Sequence, residues 1–353
     1  MPGTFKLDLS LSANSLRSGA RKMIHKPEKR TILFGFLLLL GILVFGRTAI
    51  GIFLAKSVLY SHIPAIYLII GYVLFTERKK IFSAVGYSPV YGIILVLASC
   101  ILYFYGKTNQ SGFSPNDYSS ILSLASAVYL AGIFLLSFGL KTFWKAQFAV
   151  FLLLFTIPIP DLVLDKVIYF LQVQSYNAAC WVLDTLRLYP VKEGFSIALP
   201  DVSVVVAPEC SGIRSSIALL ITSTLYARYF LRTNSARAPL IILTMFVAPF
   251  KNGLRIATLV LLSIYWDKKI LEGSLHTAGG IPFFFIGLAW LTVILLVLAR
   301  VERYFIAKCS SRKERLESGV RNDEGEVQPE VSGADSASPT PVLDSGFRRN
   351  DEH

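Results

Sequence analysis

The chain has 353 residues, of which 54% are hydrophobic and only 16% are charged, and its mean hydropathy is +0.56. Soluble domains are nearer a quarter charged, so this composition predicts a membrane protein. The net charge of +12 does not indicate nucleic-acid binding, because the basic residues lie beside long apolar runs, where membrane topology accounts for them.

Eight apolar runs predict membrane-spanning helices, since one span needs about 20 apolar residues. They cover residues 32–54, 63–75, 89–106, 118–139, 146–165, 210–227, 238–262 and 281–300. The predicted fold is therefore an all-α polytopic membrane protein of about eight transmembrane helices. We expect this transmembrane domain to occupy residues 32–300, after a cytoplasmic N-terminal segment of residues 1–31. Residues 301–353 are predicted to form a disordered cytoplasmic tail, because most of them are polar and show no apolar period.

Basic residues mark every second loop, and this alternation predicts the orientation of the chain. They lie in the N-terminal segment and in the loops after spans two, four and six: Arg21, Lys22, Lys26, Lys29, Arg30, Arg78, Lys79, Lys80, Lys141, Lys145, Arg228, Arg232 and Arg237. We therefore expect a multi-pass protein of the bacterial inner membrane with these loops and both termini in the cytoplasm. Lys268 and Lys269 fall on the outer side in this topology and count against it.

The longest predicted extracytoplasmic stretch is residues 161–209. It follows Pro158 and Pro160, which a continuing helix does not accommodate comfortably. Residues 162–185 then predict an amphipathic helix at the membrane interface. Alternating apolar residues on both sides of Pro200 predict a small extracytoplasmic hairpin just before the sixth span.

Two polar or reactive residues are predicted to lie at the same depth in the membrane. Cys210 precedes Arg228, and Arg237 precedes Arg255, by the same 18 residues. That length is about 27 Å of α-helix, against a hydrocarbon core of about 30 Å. With both loop arginines inside, Cys210 and Arg255 reach the outer interface, and His276 lies in the outer loop before the last span.

These three side chains suit acyl transfer from a peptide. A cysteine nucleophile reacts as the thiolate and needs a nearby cation or base. His276 is able to exchange a proton near neutral pH, and Arg255 is able to hold a developing oxyanion. The plainer interpretations are a surface histidine and an arginine that reaches the lipid headgroups. Cys100 and Cys180 are interpreted as packing residues.

The sequence around these residues resembles the exosortase/archaeosortase family of membrane cysteine transpeptidases. Residues 210–214, Cys-Ser-Gly-Ile-Arg, resemble the family's C-S-G-x-R signature, and residues 252–255, Asn-Gly-Leu-Arg, resemble its N-x-x-R motif. His276, with glycines shortly after it, is similar to the third motif. Pro158-Ile159-Pro160 and Ser61-His62 resemble two further elements. The resemblance covers residues 32–300.

The resemblance implies a function and roles for the residues. The family acts on exported proteins that end in a short sorting motif, often Pro-Glu-Pro, then one transmembrane helix and a basic cluster, and its setting is often exopolysaccharide export. Cys210 becomes the nucleophile, His276 the acid/base and Arg255 the transition-state stabiliser. Arg214 and Asn252 are carried over as substrate-binding residues, with a plain ion pair to Glu209 or Asp201 as the alternative for Arg214. No cofactor and no metal are implied, and membrane lipids are the other expected partner.

Three other functions stay open on the sequence alone. A polysaccharide-export transporter would place charged groups at the middle of the bilayer, whereas here they gather at one interface. A membrane O-acyltransferase would need a histidine inside a span, and none lies in a predicted span. A non-catalytic assembly protein would be compatible with a disulfide between Cys180 and Cys210. Within span seven, Pro249 and Gly253 flank Lys251 and predict a possible break into two half-helices.

Overall fold

The computed structural model describes residues 29–54, 58–84, 86, 88–200, 202–266 and 280–324. Within these ranges the α-helices are α1 (Lys29–Leu54), α2 (Ile63–Thr76), α3 (Arg78–Ile81), α4 (Pro89–Thr108), α5 (Pro115–Lys145), α6 (Gln147–Leu152), α7 (Asp161–Thr185), α8 (Ile213–Phe230), α9 (Asn234–Tyr265) and α10 (Gly280–Glu324). A small sheet holds β1 (Val191–Glu193), β2 (Ser196–Leu199) and β3 (Val202–Val205). The chain divides into two compact units, Met1–Ala299 and Arg300–His353.

The chain is a mostly helical membrane protein, but eight spans are not confirmed. Within the described ranges, α1, α4, α5, α9 and α10 are long and apolar enough to cross a membrane. A sixth span is reached only if the bent pair formed by α6 and α7 crosses as one. The helix α2 is apolar but has 14 residues. The helix α8 is not among the candidate spans, because Arg214, Arg228 and several hydroxyl side chains lower its hydropathy.

The predicted continuous span over residues 146–165 is broken. The helix α6 ends at Leu152 and passes through a 3₁₀ turn, Leu153–Thr156, before the chain turns and α7 starts at Asp161. The two helices are bent by 88°. Pro158 and Pro160 cause the break, because each removes a backbone donor and disfavours a helical residue before it.

The helix and the hairpin predicted after these prolines are both present. The helix α7 covers Asp161–Thr185, and β2 pairs antiparallel with β3 in the register Ser196↔Val205 to Leu199↔Val202. The sequence did not predict β1, which pairs with the other edge of β2. One face of the sheet packs on α7 and α9 in a buried cluster that contains Tyr176, Ala179, Cys180, Leu183, Ile197, Val206, Ile256, Ala257 and Val260.

The helix α9 is continuous, so the possible break into two half-helices is wrong. It runs from Asn234 to Tyr265 through Pro239 and Pro249. Gly253 instead allows close contact with α7, since a Cβ on Gly253 would lie 2.5 Å from the Cβ of Ala178. This close approach fixes the position of α9 along α7.

The basic loops that were predicted to share one side lie at one end of the helical bundle. Hydrogen bonds join them in three places: Glu77 with Arg228, Ser83 with Lys145, and Gly86 with Arg30. The helices α2 and α8 pack side by side through Ile66, Val73 and Ile221. Because the ion pair joins their C-terminal ends, both helices begin at the opposite end of the bundle.

The last helix extends further than predicted. The helix α10 runs to Glu324, although residues 301–353 were expected to be disordered. The reason is intrinsic propensity: the stretch from Arg300 to Glu324 is rich in arginine, lysine and glutamate, which favour helix in the absence of apolar packing. The Arg300–His353 unit is compact by itself.

Candidate active site

Cys210 lies on a single 3₁₀ turn, Pro208–Ser211, between β3 and α8. Its backbone N–H donates to the carbonyl of Ala207 at 2.9 Å. Gly212 follows with φ of +75° and is the residue from which α8 begins. This left-handed conformation turns the chain sharply and suits glycine. The sequence Pro-Glu-Cys-Ser-Gly therefore presents Cys210 at the start of α8.

Asn252 of α9 holds this turn in place. Its Nδ2 donates to the carbonyl of Cys210 at 2.7 Å and to Oγ of Ser175 on α7 at 3.0 Å. A Cβ on Gly212 would lie 2.6 Å from Cγ of Asn252, so only glycine allows this approach. Asn252 was predicted to bind substrate, but it is 1% exposed. It joins three segments, α7, the Cys210 turn and α9, and its role in binding substrate stays a prediction.

Arg255 lies one helical turn beyond Asn252 and is half-buried. Its positive charge acts on the Cys210 thiol. Burial raises the pKa of this thiol above its ordinary value, and the positive charge of Arg255 opposes that rise. The nearby Glu209 carboxylate also raises the pKa of Cys210. The structure thus brings together two of the three residues predicted to carry chemistry.

The remaining predicted residues lie in different surroundings. Arg214 is exposed on the first turn of α8, and Glu209 is exposed just before Cys210. In the part of the chain that the structure describes, no ion pair joins Arg214 to Glu209. The other residue considered as its partner, Asp201, lies outside the described residues, as does His276 together with the rest of 267–279.

Two further sequence elements meet at the same end of the bundle. The ring nitrogens of His62, just before α2, lie 3.2 Å from the carbonyl oxygens of Leu59 and Phe155. Burial lowers the pKa of the His62 ring. Asn116 at the start of α5 accepts from the Tyr60 hydroxyl at 2.6 Å and donates to the carbonyl of Ile159 at 2.8 Å. The segment that contains Ser61 and His62 is therefore joined to the segment that contains Pro158-Ile159-Pro160, through Asn116 and through the carbonyl of Phe155.

Sequence reasoning missed the residues that support Cys210. Ser175 is fully buried and gave no signal, because a single serine within an amphipathic helix is ordinary. Lys251 gave the usual signal of a basic residue within an apolar run, but it received no role. None of the four cysteines forms a disulfide, and all four lie in the described ranges, with Cys180 buried and Cys210 packed against the cluster that contains it.

The fold and these contacts define a class: a polytopic helical membrane protein with a half-buried cysteine turn held against an arginine-bearing helix. A family model described as transmembrane exosortase matches residues 54–293. The chain therefore belongs to the transmembrane exosortase family, whose members are sorting transpeptidases of the cysteine type. No curated protein and no solved structure matches the chain.

Proposed function

We propose that this chain cleaves the C-terminal sorting signals of exported proteins through a thioester on Cys210. The observation that carries the proposal is the pair formed by the Cys210 thiol and the Arg255 charge, with Asn252 fixing the backbone of Cys210. A cation beside a thiol favours the reactive thiolate. Family membership supports the same reaction class.

The proposed reaction has two steps. His276 takes the proton of the Cys210 thiol, the thiolate attacks the carbonyl carbon of the scissile peptide bond, and the oxyanion that forms is held by Arg255. The carbon–nitrogen bond then breaks, His276 gives that proton to the departing amine, and the acyl group stays on sulfur as a thioester. An amine or a water molecule next attacks the thioester carbonyl and loses a proton to His276, and the carbon–sulfur bond breaks to release the Cys210 thiolate, which regains that proton. Arg214, which is exposed on the first turn of α8, is the residue that we propose to contact the substrate.

The proposed substrates are exported proteins with a sorting motif followed by a transmembrane helix and a basic cluster. Such a helix holds the cleavage point at the membrane surface, at the level proposed for Cys210. We place the protein in a bacterial inner membrane with its active site extracytoplasmic, because the basic loops gather at the opposite end of the bundle.

This orientation is open to a direct test. Alkaline phosphatase, which is active only outside the cytoplasm, is expected to be active when fused after Pro200 and inactive when fused after Arg232. The two positions lie on opposite sides of α8. Activity only at the second position would reverse the orientation and put the proposed site in the cytoplasm.

The nucleophile is tested by replacing each cysteine in turn. Cys210→Ala is expected to abolish cleavage of a co-expressed protein with a sorting tail, because no other group forms the thioester. Cys100→Ala and Cys180→Ala are the matched controls and are expected to cleave at the normal rate. The measurement is the size shift of the tailed protein in membranes. Cleavage by Cys210→Ala at an undiminished rate would rule out the cysteine mechanism.

A further inference from the structure

Lys251 is a buried basic residue for which the proposed reaction has no role. It lies on α9 directly before Asn252 and is 2% exposed. A charged group in such a place is costly and is retained when it does something specific. Its aliphatic stem runs past α10, where a Cβ on Gly287 would lie 3.1 Å from Cδ of Lys251. Gly287 therefore leaves the space through which the lysine reaches.

The amine of Lys251 is bonded to the start of α8. Its Nζ donates to Oγ of Ser215. Ser215 in turn donates to the carbonyl of Gly212 at 2.9 Å. Lys251 and Ser215 thus form a two-bond relay that ends on the residue where the Cys210 turn enters α8. A hydrogen bond from a charged donor is stronger than a neutral one, and a hydroxyl that accepts from a cation becomes a better donor.

The Lys251–Ser215 relay adds to the hydrogen bond that Asn252 makes to the Cys210 turn. Asn252 fixes the carbonyl of Cys210 directly. Lys251 acts through Ser215 on the carbonyl of Gly212, which also accepts from the hydroxyl and the backbone N–H of Ser216. Two consecutive residues of α9 therefore hold both sides of the Cys210 turn. Arg255, on the next turn of the same helix, acts on the thiol with its positive charge.

We infer that Lys251 is a positioning residue of the Cys210 turn, acting through Ser215 to keep the thiol against Arg255. The inference rests on the proposed function only in naming Cys210 as the reactive group. The charged groups that act on the thiol are Arg255 from α9 and Glu209 from its own segment. Cys210 also packs against the buried cluster of α7 and α9, and that burial raises the pKa of its thiol. A turn loosened only where it enters α8 would keep this burial and the neighbouring Glu209 but weaken the effect of Arg255, so the thiol would hold its proton more tightly.

The test is the rate at which the Cys210 thiol is alkylated by a maleimide as a function of pH, with the other three cysteines replaced by alanine. Lys251→Met keeps the stem and removes the amine. We expect the midpoint of its pH profile to rise by about one unit, which lowers the rate near neutral pH about tenfold. At high pH its rate should equal that of the parent protein. Lys251→Arg keeps a charged donor, so it should shift the midpoint less than Lys251→Met does.

Ser215→Ala is the second variant and breaks the same relay while keeping the lysine. It should shift the midpoint by a similar amount, and the double variant should shift it no further, because groups on one hydrogen-bonded chain are not additive. Lys166→Met, at an exposed lysine of α7, is the control and should not move the midpoint.

An unmoved midpoint in Lys251→Met, or a shift there with none in Ser215→Ala, would overturn the inference. If Lys251→Met does not accumulate in membranes, the midpoint of the pH profile of Ser215→Ala is the deciding measurement, and an unmoved midpoint there overturns the inference. The alkylation profile needs no cleavage substrate. The two proposals are therefore tested separately. If the pH profiles shift as expected but the protein cleaves no sorting signal, the positioning role of Lys251 is supported and the proposed function is wrong.

Discussion

The two ends of the helical bundle are held together by different kinds of contact. At the basic end, long charged side chains bridge separate loops, as in the Glu77–Arg228 ion pair at 2.8 Å. At the end that holds Cys210, the contacts are made by buried polar side chains and by glycines that let the backbones approach closely. Asn252 and Gly212 touch so closely there that a single methyl group would not fit.

The two kinds of contact suit the two ends of the bundle to different roles. Flexible, partly exposed ion pairs contribute modestly to stability and tolerate small displacements. A buried amide that donates both to a backbone carbonyl and to a serine hydroxyl has one geometry and is costly to lose. The basic end is therefore suited to setting orientation in the membrane, and the opposite end is suited to holding a reactive group at a defined place.

The largest expected effect comes from adding a methyl group at Gly212. Gly212→Ala combines a left-handed backbone, which costs about 1–2 kcal/mol for other residues, with a clash against Asn252. We expect cleavage of a tailed protein to fall at least about 10²-fold, as displaced catalytic groups do. Gly194→Ala is the matched control, since Gly194 also has positive φ, +57°, but has nothing near its missing Cβ. Equal losses in the two variants would show that close packing on Asn252 does not matter.

A smaller effect is expected from the charges that act on the Cys210 thiol. Arg255→Gln removes the charge that lowers the pKa of Cys210, so that pKa should rise and alkylation near neutral pH should slow. Glu209→Gln removes a charge that raises the pKa, so alkylation should become faster. Opposite shifts of the two pH profiles are the expected result. Shifts of the same sign would mean that these substitutions act through the shape of the turn rather than through charge.

The smallest effect on the site is expected at the basic end. Glu77→Gln leaves Arg228 without its half-buried counter-ion, which we expect to lower the free energy of unfolding by about 1–3 kcal/mol. The pH profile of Cys210 should stay unchanged. Lys192→Met, which breaks the more exposed Lys192–Asp184 pair, should lower the free energy of unfolding less, because solvent screens an exposed ion pair. Denaturant titration in detergent measures both, and a shifted Cys210 profile in Glu77→Gln would show that the two ends are coupled.

Much of the region around Cys210 was predictable from local rules. The proline pair fixed where α7 begins, and alternating apolar residues around Pro200 predicted the β2–β3 hairpin. The equal spacing from Cys210 to Arg228 and from Arg237 to Arg255 predicted that α8 and α9 bring the thiol and the guanidinium together. Each of these features depends on the rise or the period of one element, which the sequence carries directly.

Other features depend on contacts that no local pattern encodes. The bond between Asn252 and Ser175 joins positions 77 residues apart. Hydropathy averages over Pro158 and Pro160, so it predicted one continuous span where the chain bends. From Arg300 onwards most residues are polar. A polar composition is typical both of a solvent-exposed helix and of a disordered segment, so it did not predict that α10 continues to Glu324. His276 lies outside the described residues, and its role as acid/base stays a prediction.

The shortness of α2 affects the lipid beside it. Its 14 residues make about 21 Å of helix, against about 30 Å of hydrocarbon. Glu77 ties its end to the level of Arg228, and exposed Leu68, Tyr72 and Phe75 keep its outer face apolar. A bilayer meets such a mismatch by thinning, at a fraction of a kcal/mol per Å. A bilayer crossed by α2 would therefore be thinner beside this helix, and with Glu77 held at the level of Arg228 the thinning would fall at the other end of α2, where water would reach a depth that an undisturbed bilayer keeps dry.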